Sequence, residues 1–191
     1  MEITDVEIAK VSNDIRIINT SSVFREVRSL RKEQFEKYPA SGDSIDKFDL
    51  NSFILTGYNS KEILTSTGRI VFDSSLGLPA DEYAKDEINK LRKENLVIAE
   101  LSKFAIAPEA KGMLRSYLKA YYEIALSLGI DSYISINPSK DVNIYKKIYA
   151  ARVLVKDIGY SYGTNNTFSM MEYKIKEVKP CLAAWLGEEL S

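Results

Sequence analysis

The chain has 191 residues, 45% of them hydrophobic, which is long enough for one sizeable core but short for two typical domains. Its 26 Lys and Arg residues nearly balance its 27 Asp and Glu residues, so no overall positive field is available to hold a nucleic acid or an anionic membrane surface. Histidine is absent, which excludes Ser-His-Asp and Cys-His catalysis and the HExxH zinc motif, and leaves proton transfer to carboxylates, Tyr, Lys, a terminal amine or water.

The first residues of the chain, MEITDVEIAK, carry acidic side chains where a signal peptide would be basic and then apolar. No apolar run in the sequence approaches the length that spans a bilayer. The single cysteine, Cys181, cannot form an intramolecular disulfide, as is typical of a reducing compartment. We therefore expect a cytoplasmic protein that has no integral membrane association, no metal site and no nucleic-acid partner.

The N-terminal half of the sequence predicts a strand, a helix, a hairpin and a second helix. The first segment alternates between apolar and polar residues, and the hydroxyl side chains that follow it can cap a helix. Two β-rich segments then flank the turn YNSK, a pattern typical of an antiparallel hairpin. The predicted elements are a strand at 14–19, a helix from 23 to about 38, strands at 53–57 and 63–72, and a helix at 81–92.

The C-terminal half opens with the strongly apolar segment LVIAELSKFAI, which we predict to be the central strand. The clearest helical periodicity of the chain follows, and Gly129 is its expected stop. We expect one mixed α/β domain over 1–178 and an amphipathic tail over 179–191. The predicted elements are a strand at 96–106, a helix at 111–128, a strand at 132–136, a helix at 141–150, and strands at 152–158 and 167–176.

The segment that runs from this central strand through APEAKG into the long helix resembles the core of the Gcn5-related N-acetyltransferase superfamily. In that superfamily the strand ends in a bulge, and its free backbone groups pair with the pantetheine arm of the acyl donor. The resemblance implies an α/β fold with a mixed, mostly antiparallel twisted sheet flanked by helices. It also implies that the residues near the acyl group and the pantetheine arm are Phe104, Ala105, Ile106, Lys111 and Gly112.

A narrower resemblance links the chain to the acyl-homoserine lactone (autoinducer) synthases and the N-acyl amino acid synthases. Autoinducer synthases have an Arg and a Phe four residues apart in the first helix, a D-x-x-D pair, an Arg in the third strand and the motif E-x-S/T-R-F. The order and spacing of these motifs fit this sequence, although Lys103 replaces the last Arg and the expected Trp is missing. The matching residues are Arg31 with Phe35, Asp46 with Asp49, Arg69, and Glu100 through Phe104.

The C-terminal half is more similar to the N-acyl amino acid synthases, because Asn137 and Pro138 precede a helix that carries Tyr145. The loop after the central strand supplies Gly112 but has Leu114 where coenzyme A-binding members have a second small residue. The resemblance therefore implies that acyl carrier protein donates a long-chain acyl group to the α-amine of an amino acid, with acyl coenzyme A as the other possible donor. It implies no tightly bound cofactor.

Three alternatives stay open on the sequence alone. They are a coenzyme A-dependent N-acetyltransferase, an acyl-homoserine lactone synthase, and a non-catalytic domain that keeps the fold and binds a ligand.

Glu100, Lys103 and Tyr145 are the candidate catalytic residues. A carboxylate in an apolar strand is costly unless it is paired or functional, and Glu100 is therefore the candidate base. On a regular strand Glu100 and Lys103 would face opposite sides, so only a bulge would bring both to one pocket. By the same alternation, Phe104 and Ile106 are predicted to share the face of Glu100. The resemblance assigns Tyr145 to protonation of the leaving thiolate.

The candidate residues for binding the acceptor are Arg31, Asp46, Asp49, Arg69 and Ser102. The two Asp residues would hold the ammonium group of the acceptor, or they lie in a solvated turn. Arg69 would pair with these carboxylates or with the carboxylate of the acceptor. Arg31 lies in a helix with four basic residues, a pattern typical of a solvated face or of a surface that meets an acidic carrier protein.

Overall fold

The structure is a computed structural model that describes residues 15–18, 21–35, 45–110, 112–158, 167–187 and 190. These residues form one seven-stranded sheet with helices on both faces. The strands are β1 (Ile15–Ile18), β2 (Ser52–Tyr58), β3 (Leu64–Phe72), β4 (Ile98–Ile106), β5 (Ser132–Pro138), β6 (Arg152–Val155) and β7 (Phe168–Lys174). The helices are α1 (Ser21–Phe35), α2 (Asp81–Lys93), α3 (Met113–Leu128), α4 (Val142–Tyr149) and α5 (Ile175–Leu186).

The strand order is β1-β2-β3-β4-β5-β7-β6, and all neighbouring strands are antiparallel except β4 and β5, which are parallel. This arrangement confirms the predicted mixed, mostly antiparallel sheet and the central position of β4. The ladder between β4 and β5 ends at the pair Glu100 and Ile134, although both strands continue for several residues. Beyond this pair the backbone groups of the two strands are not joined to each other, and a cleft opens between them.

A β-bulge interrupts β4 at Lys103. Thr67 on β3 pairs with Ala105, and Arg69 pairs with Ser102, so two residues of β4 oppose the single residue Gly68. Lys103 itself has a left-handed backbone with φ of 50°. A bulge of this kind reverses the alternation of side chains along the strand, so the residues before and after Lys103 follow different patterns.

The two faces of the sheet carry different helices. On one face, α1 lies against β3 and β4, and α2 packs on Val71, Ile98 and Ile134. On the other face, α3, α4 and α5 enclose the larger core, in which apolar residues of α3 recur at helical spacing. No helix within the described ranges is long and apolar enough to cross a bilayer.

The C-terminal segment differs from its prediction. The strand predicted at 167–176 ends at Lys174, and α5 begins at Ile175 and continues through Pro180. The helix thus crosses the boundary predicted at 178/179. It persists because Val178, Leu182 and Leu186, spaced four residues apart, are buried in the core, and this burial offsets the hydrogen bond that a proline removes.

Candidate active site

A cluster of buried charges lies between α1 and the sheet. The Arg31 guanidinium is fully buried and lies 2.9 Å from the Asp49 carboxylate. Arg69 contacts both acidic residues, at 2.6 Å from Asp46 and 3.3 Å from Asp49. The predicted pairing of Arg69 with these carboxylates is therefore what the structure shows. The solvated face predicted for Arg31 is wrong, because the side chain is buried against Asp49, which comes from a different segment of the chain.

The two acidic residues are held by a short 3₁₀ helix, Lys47–Asn51, that precedes β2. Asp46 is its N-cap: its side chain accepts a hydrogen bond from the Phe48 N–H at 2.9 Å, and the Asp49 side chain accepts one from the Asp46 N–H at 2.8 Å. Such reciprocal capping fixes both carboxylates in place. Burial raises the pKa of Asp46, but the hydrogen bond and charge of Arg69 outweigh it and lower that pKa overall.

The bulge brings two further predicted residues to the same cluster. Ser102 accepts a hydrogen bond from Arg69 Nε at 3.0 Å. The Lys103 ammonium lies 3.8 Å from the Asp46 carboxylate and 5.8 Å from the centre of the Phe35 ring. Burial lowers the pKa of Lys103, and the charge of Asp46 opposes that change. The sequence motifs of the first helix, the D-x-x-D pair, β3 and β4 thus meet at one place.

Glu100 lies on the same face of the sheet, beside α2. Its side chain is buried and accepts a hydrogen bond from the Ala80 N–H at 2.8 Å. Burial raises the pKa of Glu100 to about 8, although that hydrogen bond and the charge of Arg69 lower it. A carboxyl group with such a pKa is able to accept and release a proton near neutral pH.

The cleft between β4 and β5 opens on the opposite face, towards α3 and α4. It has a cavity volume of about 50 Å³. Tyr145 lines it and packs edge-on against Tyr173, with 6.3 Å between the ring centres. Burial and the charge of Asp141 raise the pKa of Tyr145, so its phenol keeps its proton at neutral pH. Ser102 also lines this cleft and so adjoins both sites.

The residues predicted to contact the acyl group or the pantetheine arm do not all lie at the cleft. Phe104 lines the cleft and packs against α3, on the face opposite Glu100. The predicted shared face of Phe104 and Glu100 is therefore wrong, because the bulge at Lys103 reverses the alternation. Ala105 is buried and pairs with Thr67, and Ile106 pairs with Ser66.

Gly112 is the N-cap of α3 and has φ of 87°, a left-handed backbone that favours glycine. Lys111 lies outside the described residues.

Sequence reasoning missed several polar residues of the cleft. Ser135 and Tyr173 share a hydrogen bond of 2.8 Å, and Asn137 donates to both hydroxyl groups. Tyr121 lines the cleft from α3. Its helical spacing with Leu114 and Leu118 was a usable signal, but the same spacing also fits an ordinary core face.

The family of the chain follows from a comparison with protein-family models. The model described as "FeeM: N-acyl amino acid synthase FeeM" matches residues 26–174, which include every predicted site residue. The chain belongs to the FeeM family. It is therefore an acyltransferase of the N-acyl amino acid synthase family, and membership implies an acyl-thioester donor and an amino acid acceptor. No curated protein sequence matches the chain.

Solved structures that resemble the FeeM-family chain include FeeM itself, an N-acyl amino acid synthase from uncultured soil microbes. The TM-score is 0.72 at 21% identity, over 90% of this chain and 95% of that one. The acyl-homoserine lactone synthase LasI has a TM-score of 0.68 at 16% identity, over 93% and 96% of the two chains. The coenzyme A-dependent synthase BjaI has a TM-score of 0.66 at 13% identity, over 87% and 83%. These likenesses confirm the Gcn5-related N-acetyltransferase fold.

Proposed function

We propose that this chain moves an acyl group from the phosphopantetheine thioester of acyl carrier protein to the α-amine of an amino acid. The observation that carries this proposal is the position of Ser102, which lines the cleft and accepts a hydrogen bond from Arg69 of the charged cluster. A donor in the cleft and an acceptor at the cluster would meet beside Ser102 and Lys103. Their reacting atoms would then be held close together, which supplies much of the acceleration in acyl transfer.

The charges of the cluster suit an amino acid. Its five ionisable side chains are three cations and two carboxylates, and Lys103 is the cation nearest the bulge. We assign Lys103 to the α-carboxylate of the acceptor and Asp46 to its ammonium group. Arg31, Arg69 and Asp49 hold these two residues in place, since removing one member of a buried ion network leaves the others uncompensated.

Proton transfer is assigned to Glu100 and Tyr145. Glu100 takes a proton from the acceptor's ammonium group through a water molecule, and the free amine attacks the thioester carbon. This attack forms the C–N bond and gives a tetrahedral intermediate with a negatively charged oxygen. When the intermediate collapses, the C–S bond breaks and the phenol of Tyr145 donates its proton to the leaving thiolate. The nitrogen releases its second proton to water, from which Tyr145 is protonated again. The raised pKa of each group suits its assignment, because Glu100 holds a proton reversibly near pH 8 and Tyr145 is protonated when the thiolate leaves.

The choice of acyl carrier protein as donor is supported by the start of α3. Leu114 lines the cleft where coenzyme A-binding relatives have a small residue, so a pyrophosphate has less room to approach the helix. Arg25 and Arg28 are exposed on α1 and are available to an acidic carrier protein, whereas the buried Arg31 is not. A long acyl chain would extend from the cleft among the apolar and aromatic side chains of α3 and α4.

The test is to incubate the purified protein with acyl carrier thioesters of several lengths, acyl coenzyme A and the common amino acids, and to identify products by mass spectrometry. We expect a long-chain N-acyl amino acid from the carrier thioester. Product from coenzyme A alone would overturn the choice of donor. If the protein releases the thiol from the acyl thioester without any amino acid present, the proposal that it transfers the acyl group to an amine is overturned.

The variant Lys103→Met tests the acceptor site. We expect its KM for the amino acid to rise by roughly 10-fold or more, the effect of losing one charged contact to a carboxylate, with a smaller change in the KM for the donor. Lys90→Met is the matched control, because Lys90 is exposed on α2 and pairs only with Glu87 in the described structure. An unchanged KM in Lys103→Met would contradict the assignment.

A further inference from the structure

Tyr121 has a hydroxyl group at the cleft that the described part of the fold does not use. The side chain lines the cleft from α3 and is only 4% exposed. Within the described part of the chain, its hydroxyl makes no hydrogen bond. The neighbouring buried tyrosines differ, since Tyr133 donates to the Tyr121 carbonyl at 3.0 Å and Tyr149 donates to the Leu118 carbonyl at 3.1 Å. The hydroxyl oxygen is not fully enclosed by protein, so a ligand in the cleft can accept its hydrogen bond.

The hydroxyl lies at the level of the bulge. A Cβ atom added to Gly68 would be 2.1 Å from the Tyr121 hydroxyl oxygen, so the oxygen sits directly over the Gly68 backbone. Gly68 is the β3 residue that faces the bulge formed by Lys103 and Phe104. The glycine therefore allows a close approach that any larger residue would block.

The reacting thioester carbonyl must lie at this same level. It has to be reached from the cleft, where the donor binds, and from the charged cluster, where the acceptor binds, and Ser102 is the point at which the two adjoin. Ser102 directly precedes the bulge and Tyr121 lies across from it. We infer that the Tyr121 hydroxyl donates a hydrogen bond to the thioester carbonyl oxygen and stabilises the oxyanion of the tetrahedral intermediate. This inference rests on the proposed function.

The surroundings of Tyr121 suit a group that donates a hydrogen bond. Burial raises the pKa of its phenol well above the usual value, so it stays protonated at every working pH. When the amine attacks, negative charge develops on the carbonyl oxygen, and a fixed donor in a site with little water stabilises that charge strongly. The hydroxyl keeps its proton throughout, so the role is separate from the proton transfers of Glu100 and Tyr145.

The test compares Tyr121→Phe with wild-type protein, using the acyl donor and amino acid that the wild-type protein accepts. The change removes one oxygen and keeps the ring. We expect kcat to fall by roughly 100-fold, the loss seen when one oxyanion donor is removed, with little change in the KM for either substrate. The melting temperature should change little, because the described part of the protein makes no hydrogen bond to this hydroxyl.

Tyr122→Phe is the matched control. Tyr122 is the next residue of α3, and it lines a different and more open pocket, beside Lys174, away from the cleft. We expect its kcat to equal that of the wild-type protein. An equal kcat in Tyr121→Phe and wild type would overturn the inference and leave the proposed function standing. A wild-type protein that forms no N-acyl amino acid would overturn both. If Tyr121→Phe raises only the KM for the acyl donor, Tyr121 is a binding contact and not an oxyanion donor. That result would also contradict the inference.

Discussion

Glu100 shows how a single buried carboxyl group links stability to chemistry. The residue lies in the interior of β4, and among the described residues the Ala80 N–H is the hydrogen-bond donor that offsets its loss of water. Burial raises the pKa from 4.5 to about 8. The folded protein therefore holds a proton on Glu100 over a range of pH in which the unfolded chain does not, and the stability must depend on pH.

The sign of that dependence gives a first prediction. Below pH 4.5 the carboxyl group is protonated in both states and contributes nothing. As the pH rises from there towards 8, the unfolded chain releases the proton first, and the free energy of unfolding falls by about 1.4 kcal/mol per pH unit. Glu100→Gln stays neutral, so its stability relative to wild type should increase across this window while its activity is lost.

Urea unfolding at several pH values, together with product assays, would measure both effects. Glu62→Gln is the matched control, because Glu62 is exposed and pairs with Arg16 at the surface. Its effect on stability should be small throughout, because an exposed ion pair contributes little. The difference in stability between Glu100→Gln and wild type should grow over this pH range. If it stays constant, the pKa of Glu100 is not raised by folding.

At the scale of elements, the close packing of α3 on β3 depends on Gly68. The aromatic side chains of α3 lie so close to β3 that a methyl group on Gly68 would be 2.1 Å from the Tyr121 hydroxyl and 3.0 Å from the Tyr117 ring. Both rings are buried among other tyrosines, so moving either one away would disturb these ring contacts. Gly68 is therefore needed for packing, independently of any role of Tyr121 in catalysis.

Gly68→Ala should accordingly destabilise the protein by about 1–3 kcal/mol, the usual cost of overpacking a core. In the background of Tyr121→Phe the closest atom is absent, so the same change should cost at least about 0.5 kcal/mol less. Gly129→Ala is the control, because a methyl group there would meet nothing within 4 Å and its cost should be the same in both backgrounds. Equal costs of Gly68→Ala in the two backgrounds would contradict the close contact.

Periodicity predicted the positions of the strands and helices, because each of them buries one apolar face. It did not predict which side chains face the active site after residue 103. The left-handed backbone at Lys103 has no local signature, since lysine does not favour it. Arg31 was misjudged for a related reason: its burial depends on its ion pair with Asp49, which lies 18 residues away in another element. The order of motifs identified the charged cluster, whereas the unpaired hydroxyl of Tyr121 is visible only in three dimensions.

On the scale of the whole molecule, the C-terminal segment completes the larger core. The residues that α5 turns inwards contact the same cluster as α3, α4 and β7, and Leu190 adds to it beyond the helix. A chain that ended near Val178 would expose the apolar surfaces of several elements at once. Because these residues are buried in that core, we predict that the protein needs α5 in order to fold.

Leu182→Ala should therefore destabilise the protein by about 2–5 kcal/mol, the cost of a cavity at a buried leucine. Trp185→Ala is the matched control on the same helix, because Trp185 is 36% exposed, and we expect a cost below about 1 kcal/mol, as at other surface positions. Urea unfolding measures both. A protein shortened to residue 178 should lose the circular dichroism transition of a folded domain. If it instead unfolds cooperatively and Leu182→Ala costs no more than Trp185→Ala, the segment from 179 onwards is a separable tail and the core closes without it.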